Sequence, residues 1–129
     1  YAHARVCSVL RKAAEMGVDV ADPTLAAQDL SAITHPAEIG VMKKMAEWPR
    51  VVEIAAQTGE PHRVAFYLYD LASDLHALWN RGNELTELRF LHDGDLDRTS
   101  AKIALPRAVA VVISAGLGIL GVTPLEEMR

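Results

Sequence analysis

Cysteine is almost missing from these 129 residues. Cys7 stands alone, so no disulfide closes within the chain, which fits a reducing compartment such as the cytoplasm. Glycine and proline, at 8 and 6 residues, are not in excess, and no low-complexity tract occurs; a disordered chain is excluded. Positive charge is not in excess either. The formal net charge is −4 at pH 7, which weighs against nucleic-acid binding through one broad positive field but leaves room for a local basic face. Nor is there an uninterrupted apolar run of membrane-spanning length. The longest, Ala108 to Val122, is roughly 15 residues, is broken by Ser114 and glycines, and lies far from where a signal peptide would be.

What is present is the balance of an ordinary globular domain: 50% hydrophobic and 23% charged residues. A chain of this size buries roughly two-thirds of its unfolded surface. It opens at Tyr1 inside a helical pattern and without a methionine, and is read as part of something longer.

Hydrophobic spacing predicts helices throughout. Over 1–16, Val6, Val9, Leu10, Ala13 and Met16 recur on one side, and Gly17 supplies a stop. Residues 18–35 are less patterned, with a turn at Asp22-Pro23 and a short helix between Leu25 and Ile33. Pro36 opens a helix with Glu38 in its first turn; Ile39, Met42, Met45 and Ala46 point inward, and Lys43, Lys44 and Glu47 outward. Trp48-Pro49 ends it, and Pro49 opens another that stops at Gly59. The clearest helix runs from Pro61 to about Arg81, with Val64, Leu68, Leu71, Leu75 and Leu78 as its apolar stripe. A polar loop follows over 83–98. The last helix spans Thr99 to about Leu120, apolar on nearly every side after Arg107 and therefore central, with a kink or broken turn at Pro106. No period-2 strand is read. The expected class is all-α, a bundle of roughly four to five main helices, with 1–129 as a single domain.

Catalytic and metal chemistry find little support. The five histidines include no pair at metalloprotease spacing, and only one cysteine accompanies them. Asp93, Asp95 and Asp97 alternate like the start of a calcium loop, but Arg98 stands where glycine is needed and Ala104 where a bidentate glutamate is needed. Asp70 and Asp74 lie a turn apart, with no nucleophile and no phosphate-binding glycine loop nearby. They read as a solvated face.

Two faces suit unpaired RNA. Tyr1, Arg5, Ser8 and Lys12 recur about once per turn on the first helix, with Arg11 at the edge. A ring or guanidinium stacks on a base, and the cations hold phosphates; spacing alone favours the plainer alternative, a solvated helix face whose tyrosine is partly buried. His3 falls on the apolar arc and reads as packed. On the long helix, His62, Phe66, Tyr69, Ser73, His76 and Asn80 form a second stripe, read first as a packing face, since Phe66 is too apolar to stand open without a partner.

Four blocks in order resemble one family. Tyr1-Ala2-His3-Ala4-Arg5 with Ser8-Val9-Leu10-Arg11-Lys12-Ala13 is similar to the opening of the C-terminal domain of bacterial-type arginyl-tRNA synthetases. Met42-Lys43-Lys44-Met45-Ala46-Glu47-Trp48-Pro49, Glu60-Pro61-His62-Arg63 with Tyr67-Leu68-Tyr69-Asp70-Leu71-Ala72, and Gly116-Leu117 with Leu120-Gly121-Val122 follow in register. The fold takes its name from an Asp-Ala-Leu-Arg motif, which is not intact here; the corresponding stretch is Lys102-Ile103-Ala104-Leu105-Pro106-Arg107. The resemblance implies a domain that binds the anticodon stem-loop of arginine tRNA, with the parent's catalytic domain as its other partner and neither DNA nor membrane. It implies no cofactor in this stretch, with ATP and magnesium used by the parent's catalytic domain, and a cytoplasmic enzyme that joins arginine to tRNA. It implies Tyr1, Arg5, Ser8, Arg11 and Lys12 as RNA contacts, and adds Met128 at the chain end. Two other readings stay open: a helical module that docks a protein through Phe66 and Tyr69, or the anticodon-binding domain of another class I synthetase.

Overall fold

The computed structural model describes residues 1–128. The helices are α1 (Ala2–Glu15), α2 (Asp22–Ala26), α3 (Pro36–Ala46), α4 (Trp48–Thr58), α5 (His62–Arg81) and α6 (Leu96–Ile119), with a 3-10 turn at Thr86–Leu88. Among the described residues there is no strand. The all-α class holds, as five helices of 11 to 24 residues plus the single-turn α2.

The ends of these helices follow from their sequence. Beyond α1, Gly17 takes a φ of 99°, and the amides of Gly17 and Val18 return to the carbonyls of Ala14 (3.0 Å) and Ala13 (3.1 Å). Gly121 does the same beyond α6, its φ at 75°, with Val122 N–H donating to Leu117 at 2.8 Å. Both are left-handed glycine stops that satisfy the last carbonyls. His35 caps α3 by accepting from the amide of Ala37 at 3.1 Å, and Pro36 takes the first helical position. Asp95 caps α6 by accepting from the amide of Arg98 at 3.0 Å.

Packing centres on α5 and α6, which between them touch every other helix. Val64, Leu68, Leu71, Leu75 and Leu78 are buried as their spacing predicts, and Val6, Val9 and Ala13 seat α1 against α6. At Gly116 the two central helices approach so closely that an added Cβ would stand 2.6 Å from Leu68 Cδ1.

Several expectations fail for identifiable reasons. The short helix is Asp22–Ala26, not 25–33, because Pro23 suits a first turn; Leu25 and Ile33 are buried individually. On α3 the buried residues are Val41 and Glu38, while Ala46 is exposed. Glu38 is tolerated inside because Lys102 Nζ donates to it at 2.8 Å, with side chains 3% and 7% exposed. The 83–98 segment is not a polar loop throughout. It delivers Leu88, Phe90 and His92 to the interior, and α6 starts three residues early at Leu96.

α6 runs unbroken through Pro106, which is itself buried; one missing amide leaves the rest of the helix paired. The far half of α6 is buried on one side only, through Val109, Ala110, Ile113 and Gly116, with Val111 and Ile119 open to solvent. By length and composition α6 is apolar enough to cross a membrane, but half of the qualifying window is buried within the bundle and the helix carries the buried Lys102. It has the character of a core helix.

Candidate nucleic-acid interface

The apolar side of α1 is turned to α6, so the opposite side is open. Tyr1 is 73% exposed, Arg11 and Lys12 are exposed, and Arg5 and Ser8 are half-buried. His3 is buried, as its place on the apolar arc predicts, and its Nδ1 donates to the carbonyl of Leu125 at 2.8 Å.

Arg5 is the most constrained cation on this side. Its guanidinium carbon lies 4.0 Å from the centroid of the Trp79 ring, and Nη1 donates to Nδ1 of His76 at 3.0 Å. Trp79 is held edge-on by Phe90, with centroids 5.0 Å apart and planes at 87°. The Tyr1 ring leans over His76 at 5.3 Å and 36°. An imidazole that accepts at Nδ1 carries its proton on Nε2 and is neutral. Its surroundings agree: burial first, then Arg5, hold His76 below the ordinary histidine value. A planar cation fixed on one face suits a phosphate or the edge of a base.

Three depressions surround this centre. A cleft of about 460 Å³ is walled by Arg5, Ser8, Lys12, Trp79, Asn83 and Arg89. A second, of about 360 Å³, lies among Tyr1, Arg5, Ser8, Arg11, Glu127 and Met128. A third, of about 410 Å³, is mostly apolar and lies among Tyr1, Tyr69, Ser73, His76, Leu117 and Leu125. The α1 stripe and the Tyr69, Ser73 and His76 part of the α5 stripe therefore share one surface, joined where His76 meets Tyr1 and Arg5. The chain end reaches the same surface because His3 and Arg11 hold it; Arg11 Nη1 donates to the carbonyl of Glu126 at 3.4 Å. All six sequence-predicted site residues are thus brought together.

Sequence reasoning missed Trp79, Asn83 and Arg89. Trp79 lies three residues after His76, and helical spacing alone could have placed the two near each other. Arg89 had no such signal, since it is drawn in by a loop contact, its Nε donating to the carbonyl of Gly82 at 2.8 Å.

Elsewhere the chemistry is modest. Phe66, towards the other end of the α5 stripe, borders a separate groove of about 460 Å³ whose lining includes Val51, Ile54, Arg63 and Tyr67. Phe66 is 66% exposed there. Asp70 stands 4.0 Å from Lys44 in solvent. Burial pushes the Cys7 thiol above its ordinary value, away from nucleophilic character. Among the described residues no three His, Cys, Asp or Glu side chains gather as metal ligands.

A family model described as the DALR anticodon binding domain matches residues 1–128. Among curated proteins, the chain is similar to three named arginine–tRNA ligase. That of Ruegeria pomeroyi is 69% identical, that of Cereibacter sphaeroides 68%, and that of Paracoccus denitrificans 65%. Each match covers the whole of this chain but 22% of the relative's length. No solved structure matches.

Proposed function

The chain belongs to the DALR anticodon binding domain family, and from that premise we propose that it grips the anticodon stem-loop of an arginine tRNA on behalf of a cytoplasmic arginine–tRNA ligase. The observation that carries this reading is Arg5, a cation held on the face of Trp79 and against His76, beside an open tyrosine ring. Unpaired loop nucleotides offer what such a site takes: base faces for Tyr1, and phosphates or base edges for Arg5, Arg11 and Lys12. Ser8 adds a hydroxyl and Met128 an apolar wall. Activation of arginine with ATP and magnesium belongs, in this reading, to the catalytic domain of the whole enzyme. The role of this domain is to hold the tRNA so that its acceptor end reaches that domain.

The test is a titration of stem-loop RNAs carrying arginine or unrelated anticodons, read by fluorescence anisotropy. Affinity for the arginine stem-loop should exceed that for the others, and Arg5→Ala should weaken it by about 1–3 kcal/mol. Equal affinity for every anticodon removes specific readout, and absence of RNA binding ends the proposal.

A second reading rests on Phe66. An open aromatic ring over the apolar floor of the α4–α5 groove favours a protein contact there, such as the catalytic domain of the same enzyme. The two readings use different faces and are compatible.

A further inference from the structure

We propose that His76 is a positioning residue for Arg5: it holds the guanidinium in its RNA-facing pose only while its imidazole is neutral, so that protonation of His76 weakens RNA binding at this face. This rests on the reading that Arg5 meets RNA.

Contact with the Trp79 face fixes how far the guanidinium stands from the ring but not how its plane is turned, because a cation over a ring has little directional preference within that plane. The hydrogen bond to His76 Nδ1 supplies the missing direction. It commits one N–H and thereby aims the others at the cleft shared with Ser8, Lys12 and Asn83. When the ring takes a second proton, Nδ1 becomes a donor and the acceptor is lost. A second cation then stands 3.0 Å from the first, and Arg5 must turn away.

Among the described residues, those lining the cleft beside His76 bring no negative charge to it; Glu127 lies in the neighbouring cleft with Tyr1 and Arg5. From α1 comes Arg5, which is positive. The adjoining cleft is lined by Tyr1, Tyr69, Ile113, Leu117 and Leu125, and among the described residues that line it there is no carboxylate; its other imidazole is His3, turned to the carbonyl of Leu125. Simple electrostatics makes the opposite prediction, that an added positive charge beside a phosphate-binding face strengthens RNA binding. The sign of the pH response therefore separates positioning from bulk charge.

The experiment measures affinity of the 129-residue chain for a labelled arginine-anticodon stem-loop across a pH series below and above 6.5, with circular dichroism at each pH to confirm folding. Wild-type affinity should fall by about tenfold on acidification, the size expected for one charge-assisted hydrogen bond. His76→Asn presents an amide oxygen near the place of Nδ1 and does not titrate; it should keep the neutral-pH affinity and lose the acid fall. His76→Leu should be weaker by about tenfold at neutral pH as well. A wild-type affinity that rises on acidification, or an equal fall in His76→Asn, overturns the proposal. If Arg5→Ala weakens binding while His76→Leu does not, the fault lies with His76. If Arg5→Ala binds like wild type, the RNA reading of this face fails and the proposal goes with it.

Discussion

Two histidines give up their protons more readily in this fold than in water. Burial is the first cause for both His76 and His92; Arg5 adds to it for the former and Arg98 for the latter. Since the folded value lies below the unfolded one, the unfolded chain binds more protons in this range. Their contribution to stability is complete above about 6.5 and is lost as the pH falls through the depressed folded values. Tyr67 acts at the other end. Burial and then Glu47 raise its phenol to about 12, and its hydroxyl donates to the carbonyl of Lys44. Folding favours the neutral phenol, so stability declines as the pH rises from 10 towards 12. Urea midpoints measured across pH should therefore fall on both legs. A midpoint unchanged between neutral pH and the acid leg contradicts the histidine assignment. At this scale Arg5 is legible in the sequence by its turn-spacing with Tyr1. Its fixed pose is not, because the residues that fix it come from another helix far along the chain.

The elements were legible where local chemistry alone sets them. Pro36 and Pro61 announce helix starts, Gly17 and Gly59 announce stops, and the leucines of α5 declare their buried side. Illegible were the features that depend on a distant partner. Glu38 reads as a first-turn acid complementing the helix dipole, yet it is buried because Lys102 on α6 arrives to neutralise it. That pair joins α3 to α6. Removing one member leaves a lone charge inside, so Lys102→Met should lower unfolding free energy by about 3–5 kcal/mol, and the double variant Glu38→Leu/Lys102→Met should recover most of it. Denaturant melts of the three proteins check this. A single variant as stable as wild type would mean the pair is hydrated in solution. The loop before α6 is illegible for the same reason: Leu88, Phe90 and Leu91 stand in a short stretch without helical periodicity, and only the bundle supplies their contacts.

Over the whole molecule, a chain of net charge −4 gathers Arg5, Arg11, Lys12 and Arg89 around a few ring-walled clefts. Composition hid that local concentration, and helical spacing recovered only the part of it carried by α1. The α4–α5 groove is a separate face. Phe66 is too exposed for its loss to unsettle the fold, so Phe66→Asp should leave both the melt and RNA affinity unchanged while abolishing co-elution with the catalytic domain of a relative. Co-elution that survives the change removes the protein-docking reading.

Because His3 holds Leu125, and Tyr1 and Met128 wall the same small cleft, the first residue of this bundle is a spatial neighbour of its last described one. A short glycine–serine bridge could thus span positions 1 and 128, with the backbone opened instead at the exposed turn around Gly94. Such a permutant would keep each helix in its seat.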